Sequence, residues 1–378
     1  MELSEIRKNL DDIDNELVAL FRRRMETVKL VSQYKNTTKK AVKDKKRERE
    51  ILSRVTDLSG PELESYTKVL FTTLMSLSRA YQYALSDPGE LAGQLLEAMN
   101  NTPQLFPRKA VVACQGVEGA YSQQACDKLF ALPSIMYFND FNSVFTAVEK
   151  GLCQYGVLPI ENSTHGSVYE TYDLMRRHSF YIVRSLRLKI DHALLTRPGV
   201  RLDQIKTVIS HPQALGQCSE YLSSLKGVSI QPVSNTAVAA RQVAEGGDDT
   251  FACISSHNCA DTYGLEVQPV HVSNSDSNYT RFICIARDAE IYPGANRISL
   301  MLNLPHEPGS LYELLSRFAA LDINVRKLES RPIPGSDFEF TFYFDMEANL
   351  CAPEVRQLIG QLKTENPSLA FLGSYAES

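Results

Sequence analysis

Between residues 1 and 86 the chain has one glycine and one proline, adjacent at Gly60–Pro61, and no alternating run of β-branched residues. A stretch so poor in turn-formers and strand signals has only helices open to it. The pattern predicts three, at about 3–36, 44–57 and 61–85. Along the first, Ile6, Leu10, Ile13, Leu17 and Leu20 recur at alternating spacings of four and three, a coiled-coil-like seam. A 30-residue helix is about 45 Å long. Three such helices leave more apolar seam than one copy covers, so a homo-oligomer, at least a dimer through the long helix, is expected.

Four residues further, the seam reaches Arg24, and Lys35 follows eleven residues later, about three turns on and on the same face. Burying an unpaired cation is costly, so each should meet an anion. Charges on a helix usually form a solvated face, and a basic helical arm for RNA is the competing reading. Such an arm should lack buried Ser, Gln and Glu, whereas Glu48 stands with Asp44 and Arg47 at i, i+3, i+4, and Ser78 and Gln82 at i, i+4 among Leu70, Leu74, Leu77 and Tyr81.

Together IRKNLDDIDNELVALFRRR…YK, VKDKKRER and LSRAYQ resemble the all-helical chorismate mutase domain over about residues 3–85. The family's active-site set falls on Arg7, Arg24, Lys35, Asp44, Arg47, Glu48, Ser78 and Gln82. The resemblance implies that arginines hold the two carboxylates of chorismate, Lys35 and Gln82 donate to the ether oxygen, and Glu48 holds the hydroxyl. It also implies that Arg7 reaches the partner protomer's site, in agreement with the dimer argument.

The 378 residues carry a net charge of -5, which gives no sign of a polyanion-binding chain, so no nucleic-acid partner is expected. The acidic start MELSEIRKNLDD and the lack of an eighteen-residue apolar run exclude a signal peptide and a membrane span from the expectation. Eight scattered cysteines without a CxxC read as reduced, mostly buried thiols of a cytoplasmic protein. Seven histidines without HxxxH or HExxH give no reason to expect a metal.

Residues 88–107, with Pro88, Gly89, Pro103 and Pro107, read as a linker with a possible short helix at ELAGQLLEAM. From 108 to about 288 the texture is α/β with mostly parallel strands, at KAVVAC, QYGVLPI, FYIVRSL, TVISH, VSIQPV, DTFACIS and TRFICIA. Polar clusters sit at strand ends: GVEGAYSQQA, PIENSTHGSV, SHPQALGQC, SNTAVAA and SNYTRF. Each alone reads as a helix cap, although open α/β sheets also bind ligands at such strand ends. His165, His192 and His211 read as structural histidines.

LPIENS, SHPQ…QC and NYTRF together resemble prephenate dehydratase over about 108–287. That implies two α/β lobes of periplasmic-binding-protein type with the site in the cleft. By the family pattern Thr280 polarises the leaving hydroxyl, Glu161, Asn162 and Gln217 surround it, and Arg281 anchors a carboxylate. The sequence departs from the pattern at Gln115, Val117 and Ala120.

Residues 296–378 read β-α-β-β-α-β, a ferredoxin-like unit. HEPGSLYELLSRF and LESRP resemble the two signature segments of the ACT domain. The resemblance implies phenylalanine binding at a subunit interface by Gly309, Ser310, Leu311, Glu329, Ser330, Arg331 and Pro332, with Ser310 as helix N-cap.

The chain thus reads as multidomain: an all-α mutase domain (1–87), a linker (88–107), a two-lobed α/β dehydratase domain (108–288) and an α+β ACT domain (296–378). The expected function is conversion of chorismate to prephenate and then to phenylpyruvate, with phenylalanine as inhibitor and no cofactor. Two other readings stand beside it: a dehydratase that uses arogenate, and a non-enzymatic amino-acid sensor with a helical dimeriser.

Overall fold

A computed structural model describes residues 2–38, 42, 44–85, 89–333, 335 and 339–378. It divides into two compact units. One comprises residues 1–97 and 300–370, the other 98–299 and 371–378.

The chain opens with three helices, α1 (Leu3–Thr38), α2 (Lys45–Ser59) and α3 (Glu64–Ala84), followed by α4 (Glu90–Asn101). Asp44 caps α2, its carboxylate accepting the Arg47 amide at 3.0 Å, and Gly60 ends it at φ 76°. The turn-formers of the sequence thus stand where the long helices stop. Residues 86–88, which span the proposed boundary between the helical domain and the linker, lie outside the described residues. The seam of α1 is uncovered: Ile6, Leu10, Ile13, Leu17 and Leu20 are 41 to 54 % exposed.

The second unit is built on two sheets. Its first lobe contains β1 (Lys109–Gln115), α5 (Tyr121–Leu129), β2 (Leu132–Phe138), α6 (Phe141–Glu149), β3 (Tyr155–Asn162), the short β4 (Gly166–Ser167), α7 (Tyr169–Met175) and β5 (Tyr181–Lys189). The second contains β6 (His192–Thr196), β7 (Thr207–Ser210), α8 (Pro212–Gln217), α9 (Ser219–Ser224), β8 (Ser229–Pro232), α10 (Thr236–Glu245), β9 (Phe251–Ser256), α11 (His257–Tyr263) and β10 (Glu266–Val267). The chain then returns to the first sheet as β11 (Tyr279–Ala286), between β5 and β3.

That return corrects the expectation of mostly parallel strands. β1 runs parallel to β2 and β3, but β11 is antiparallel to both of its neighbours. In the second sheet β7 is parallel to β8 and β9, while β6 is antiparallel to β9 and β10. Besides the two-residue strands β4 and β10, two strands, β2 and β6, have no counterpart in the sequence reading. β2 is interrupted by Pro133 and mostly exposed. β6 is fully buried but is spelled His-Ala-Leu-Leu-Thr, which lacks the β-branched run of a strand. The core of the first lobe gathers Val112, Ala125, Val157, Val183 and Cys284. Two further clusters flank the second sheet.

The C-terminal run is β12 (Arg297–Asn303), α12 (Ser310–Ala319), β13 (Asn324–Pro332), β14 (Phe340–Glu347), α13 (Pro353–Glu365) and β15 (Ala370–Glu377), the expected β-α-β-β-α-β order. β14 lies between β13 and β12, with β13 at the edge. Gly309, at φ 89°, is the N-cap of α12. Ser310 is therefore the first helical residue and not the cap, because only glycine takes that left-handed backbone cheaply. In the first unit, α3 packs on α1, α2, α12 and α13. In the second, the end of β15 pairs with β5, Ala376 opposite Arg184 and Glu377 opposite Ser185. The approach there is close: Gly373 has φ 150°, and a Cβ on it would stand 2.1 Å from the Ile182 carbonyl oxygen.

Candidate active sites

In the helical part, Arg24 on α1 reaches α3, where its guanidinium donates to the Ser78 hydroxyl and, at 3.2 Å, to the Leu74 carbonyl. Burial holds this arginine below its ordinary value. One turn below Ser78, the Gln82 amide donates to the Ser78 carbonyl at 3.2 Å. Its Oε1 is buried without a partner among the described residues. Lys35 donates to the Val42 carbonyl at 2.6 Å. It lies on the face of α1 where Ser32, one turn earlier, meets the Gln82 carbonyl at 3.4 Å.

Glu48 on α2 pairs with Arg79, the α3 chain neighbour of Ser78 and a residue the sequence reading did not single out. Arg79 also pairs with Glu313 of α12. Burial works against its charge, but the two carboxylates outweigh it and raise its proton affinity. The structure therefore links Arg24, Ser78 and Gln82, and ties Glu48 to Arg79. It leaves Arg7 exposed on α1 and Arg47 exposed beside Glu50 at 3.3 Å, while Asp44 is occupied in capping α2.

The two lobes of the other unit enclose a cavity of about 460 Å3 lined by Asn162, Thr280, Gln217, His192, His211 and Tyr121, among others. Asn162 closes the end of β3. Its amide nitrogen donates to the Thr280 hydroxyl at 2.9 Å and to Asn278 Oδ1 at 2.8 Å. Its oxygen accepts the amides of Thr164 and His165 at 2.9 and 3.0 Å. With both ends of the carboxamide used, its orientation is fixed.

Gln217, the last residue of α8, is held by His192 Nε2 at 2.8 Å and His165 Nδ1 at 3.1 Å. Tyr121 stands 3.2 Å from His192 Nδ1 and donates to the Asp191 carbonyl at 2.8 Å. Burial lowers the proton affinity of His192 and His211. His211 caps α8, its ring nitrogen 3.3 Å from the Gln213 amide, and Asn235 caps α10, accepting the Ala237 amide at 2.8 Å. Both caps also line the cavity. The cap and ligand-site readings of these clusters are therefore compatible.

Glu161 and Arg281 do not line the cavity. They are register partners on β3 and β11, paired to each other at 2.7 Å on the face opposite Asn162 and Thr280. Successive strand residues point to opposite faces, so a cavity-facing Thr280 turns its neighbour Arg281 away.

The profile of chorismate mutase type II matches residues 6–83, and that of prephenate dehydratase matches residues 112–290. The bifunctional chorismate mutase/prephenate dehydratase of Escherichia coli K12 is 30 % identical, over 99 % of this chain and 96 % of its own length. The chain belongs to the bifunctional chorismate mutase/prephenate dehydratase family.

Arogenate dehydratase/prephenate dehydratase 2 of Arabidopsis thaliana is 36 % identical over 75 % of this chain and 76 % of its own. Among solved structures, the prephenate dehydratase of Arthrobacter aurescens in complex with L-Phe superposes with a TM-score of 0.65 at 28 % identity, covering 70 % of this chain and 89 % of that one. A chorismate mutase/prephenate dehydratase is an enzyme of aromatic amino acid biosynthesis, which sets aside the reading as a non-enzymatic sensor. No helix among the described residues is long and apolar enough to cross a membrane.

Proposed function

We propose that this cytoplasmic enzyme rearranges chorismate among α1, α2 and α3, dehydrates prephenate at Thr280 and is inhibited by phenylalanine bound to a C-terminal ACT domain. The observation that carries the dehydratase assignment is the Asn162–Thr280 clasp on the cavity wall. The domain bounds we propose are 1–87, 108–288 and 296–378, with 88–107 as linker.

The mutase reaction is a pericyclic shift that needs no nucleophile and no base. The protein must hold a compact dicarboxylate and stabilise charge on the ether oxygen as the C–O bond breaks. On this reading Arg24 binds a carboxylate, Lys35 and Gln82 donate to the ether oxygen, and Glu48 holds the hydroxyl. The buried, unpartnered carboxamide oxygen of Gln82 calls for a donor there, since such an atom is costly to leave alone, while its amide nitrogen is the group that meets the ether oxygen. Arg7, exposed on α1 well off the face of Arg24 and Lys35, serves the partner's site in a dimer.

Prephenate loses CO2 and its ring hydroxyl in one aromatising elimination. The electrons of the breaking C–CO2 bond enter the ring, and hydroxide departs at the far carbon. Thr280 is positioned to donate a hydrogen bond to that hydroxide, and Gln217 to bind a polar group of the substrate. Arg281 is not placed to anchor a substrate carboxylate, so that role passes to the cavity's own donors.

Beside Gly309–Leu311 lies a slot of about 350 Å3 lined by Leu304, Pro305, Pro308, Leu311, Phe340 and Phe342, which suit a phenyl ring, together with His306, Glu307 and Ser310. Glu329–Pro332 lie on β13, the edge strand of its sheet, and on this reading they form the subunit side of the phenylalanine site. Assays of the full chain on chorismate, prephenate and arogenate test the reading. Turnover of the first two with little of the third is expected. Dehydration of arogenate alone would overturn the substrate assignment.

A further inference from the structure

We propose that Glu377 is a positioning residue for the dehydratase: its carboxylate, gripped by Arg187, Arg281 and Arg297, fixes the back of strand β11 and with it the aim of Thr280. The inference rests on the reading of Thr280 given above.

Glu161, Arg281 and Arg187 are register partners on β3, β11 and β5, a row of charges on the face turned away from the cavity. The next strand, β15, sets Glu377 opposite Ser185 of β5. One carboxylate oxygen of Glu377 lies 3.2 Å from Arg187 Nε and 3.3 Å from Arg297 Nη2. The other lies 3.8 Å from Arg281 Nη1, and Arg281 keeps Glu161 at 2.7 Å.

Arg281 and Arg187 stand directly opposite each other, and like charges so placed destabilise a sheet. Glu377 is the carboxylate they share. Arg281 is only 5 % exposed, so water cannot replace a lost partner there. Backbone bonds secure the arrangement: the Ser378 amide donates to the Ser185 carbonyl at 3.0 Å, and the Arg187 amide to the Ser378 carbonyl at 2.9 Å.

Thr280 and Arg281 are neighbours on one strand, facing opposite ways. A shift of β11 that repairs the charges behind it moves the hydroxyl in front of it. β15 is also the last strand of the run whose helix α12 begins at the proposed phenylalanine segment. A ligand whose binding displaces β15 therefore acts on Thr280 through Glu377.

The test uses the full chain with Glu377→Gln, which keeps shape and removes charge, and Glu377→Asp, which keeps charge. Glu377→Gln should lower the prephenate kcat about tenfold, as a small misplacement of a reacting group does. KM should stay within about twofold, mutase activity should be unchanged, and phenylalanine inhibition should be blunted. Glu377→Asp should recover part of the rate. Wild-type kcat in Glu377→Gln would overturn the proposal, as would a loss in which kcat, KM and the unfolding midpoint move together. Thr280→Ala, run in parallel, separates the claims. If it dehydrates normally, the reading of Thr280 falls. If it is inactive while Glu377→Gln is fully active, only the Glu377 proposal falls. A wild type indifferent to phenylalanine removes the regulatory reading and leaves kcat to decide.

Discussion

Asn162 and Thr280 face each other across the β3–β11 ladder, 118 residues apart in the chain, with the amide donating to the hydroxyl oxygen at 2.9 Å. Because the oxygen already accepts, the hydroxyl proton is the end left to face the cavity. That is the polarity needed to assist a departing hydroxide.

Thr280→Ala should therefore lower prephenate dehydration by a hundredfold or more, about 3 kcal/mol in the barrier. Prephenate should still accumulate from chorismate. Thr280→Ser should retain part of the rate. Equal rates for the two variants would make Thr280 a packing residue.

Lys35→Ala and Gln82→Ala should each slow the mutase about a hundredfold, the cost of one preorganised donor to a developing oxyanion. Dehydratase turnover of the same preparations is the internal control, since the two reactions use different residues. Near-normal chorismate turnover in both variants would refute the assignment.

The exposed Arg7 and the uncovered seam of α1 make a composite site testable by mixing. Arg7→Ala and Lys35→Ala protomers should each be nearly inactive. Unfolded together and refolded, they should regain up to about a quarter of wild-type mutase activity, because half the dimers are mixed and each mixed dimer has one intact site. Absence of recovery in verified mixed dimers would place Arg7 in its own protomer's site or in none.

His192 offers a pH signature. Burial is the main cause of its lowered proton affinity, opposed by the Gln217 bond and Asp191. The unfolded chain therefore takes up this proton more readily than the folded one. Stability contributed by the neutral ring is present above about pH 6.5 and is lost as pH falls below it. The unfolding midpoint should fall between about pH 7 and pH 5.5, with a shallower slope in His192→Asn. Identical slopes would mean that other groups carry the acid sensitivity.

Much of this was legible in the sequence because the residues concerned are spaced along single elements. Arg24 and Lys35 share a helix face by arithmetic, and Ser78 and Gln82 do so one turn apart. Thr280 and Asn162 came from short motifs, NYTRF and ENS. The placement of Arg281 and Glu161 behind the sheet was also available, from strand parity, once their neighbours are assigned to the cavity. What the sequence hides is pairing at long range. Nothing around Arg79 announces that it will hold Glu48 and Glu313, the latter 234 residues on. Nor does His192 in a five-residue strand of helix-forming letters announce that it will orient Gln217.

The seam between β15 and β5 also limits how regulation can be dissected. Cutting the chain near residue 290 removes Glu377 and the strand that carries it, so such a fragment confounds loss of the phenylalanine response with damage behind Thr280. Point changes at Leu311 or Phe342 in the slot beside Gly309 leave that strand in place and are the cleaner instrument.

At Gly373 the seam has room for a hydrogen and nothing larger. Every one-base change in a glycine codon that yields another residue adds a side chain, so no single step leads away from this position without parting the strands. In a culture that must make its own phenylalanine, a saturation library at 373 should collapse to one letter. That intolerance would belong to the backbone, where side-chain chemistry plays no part.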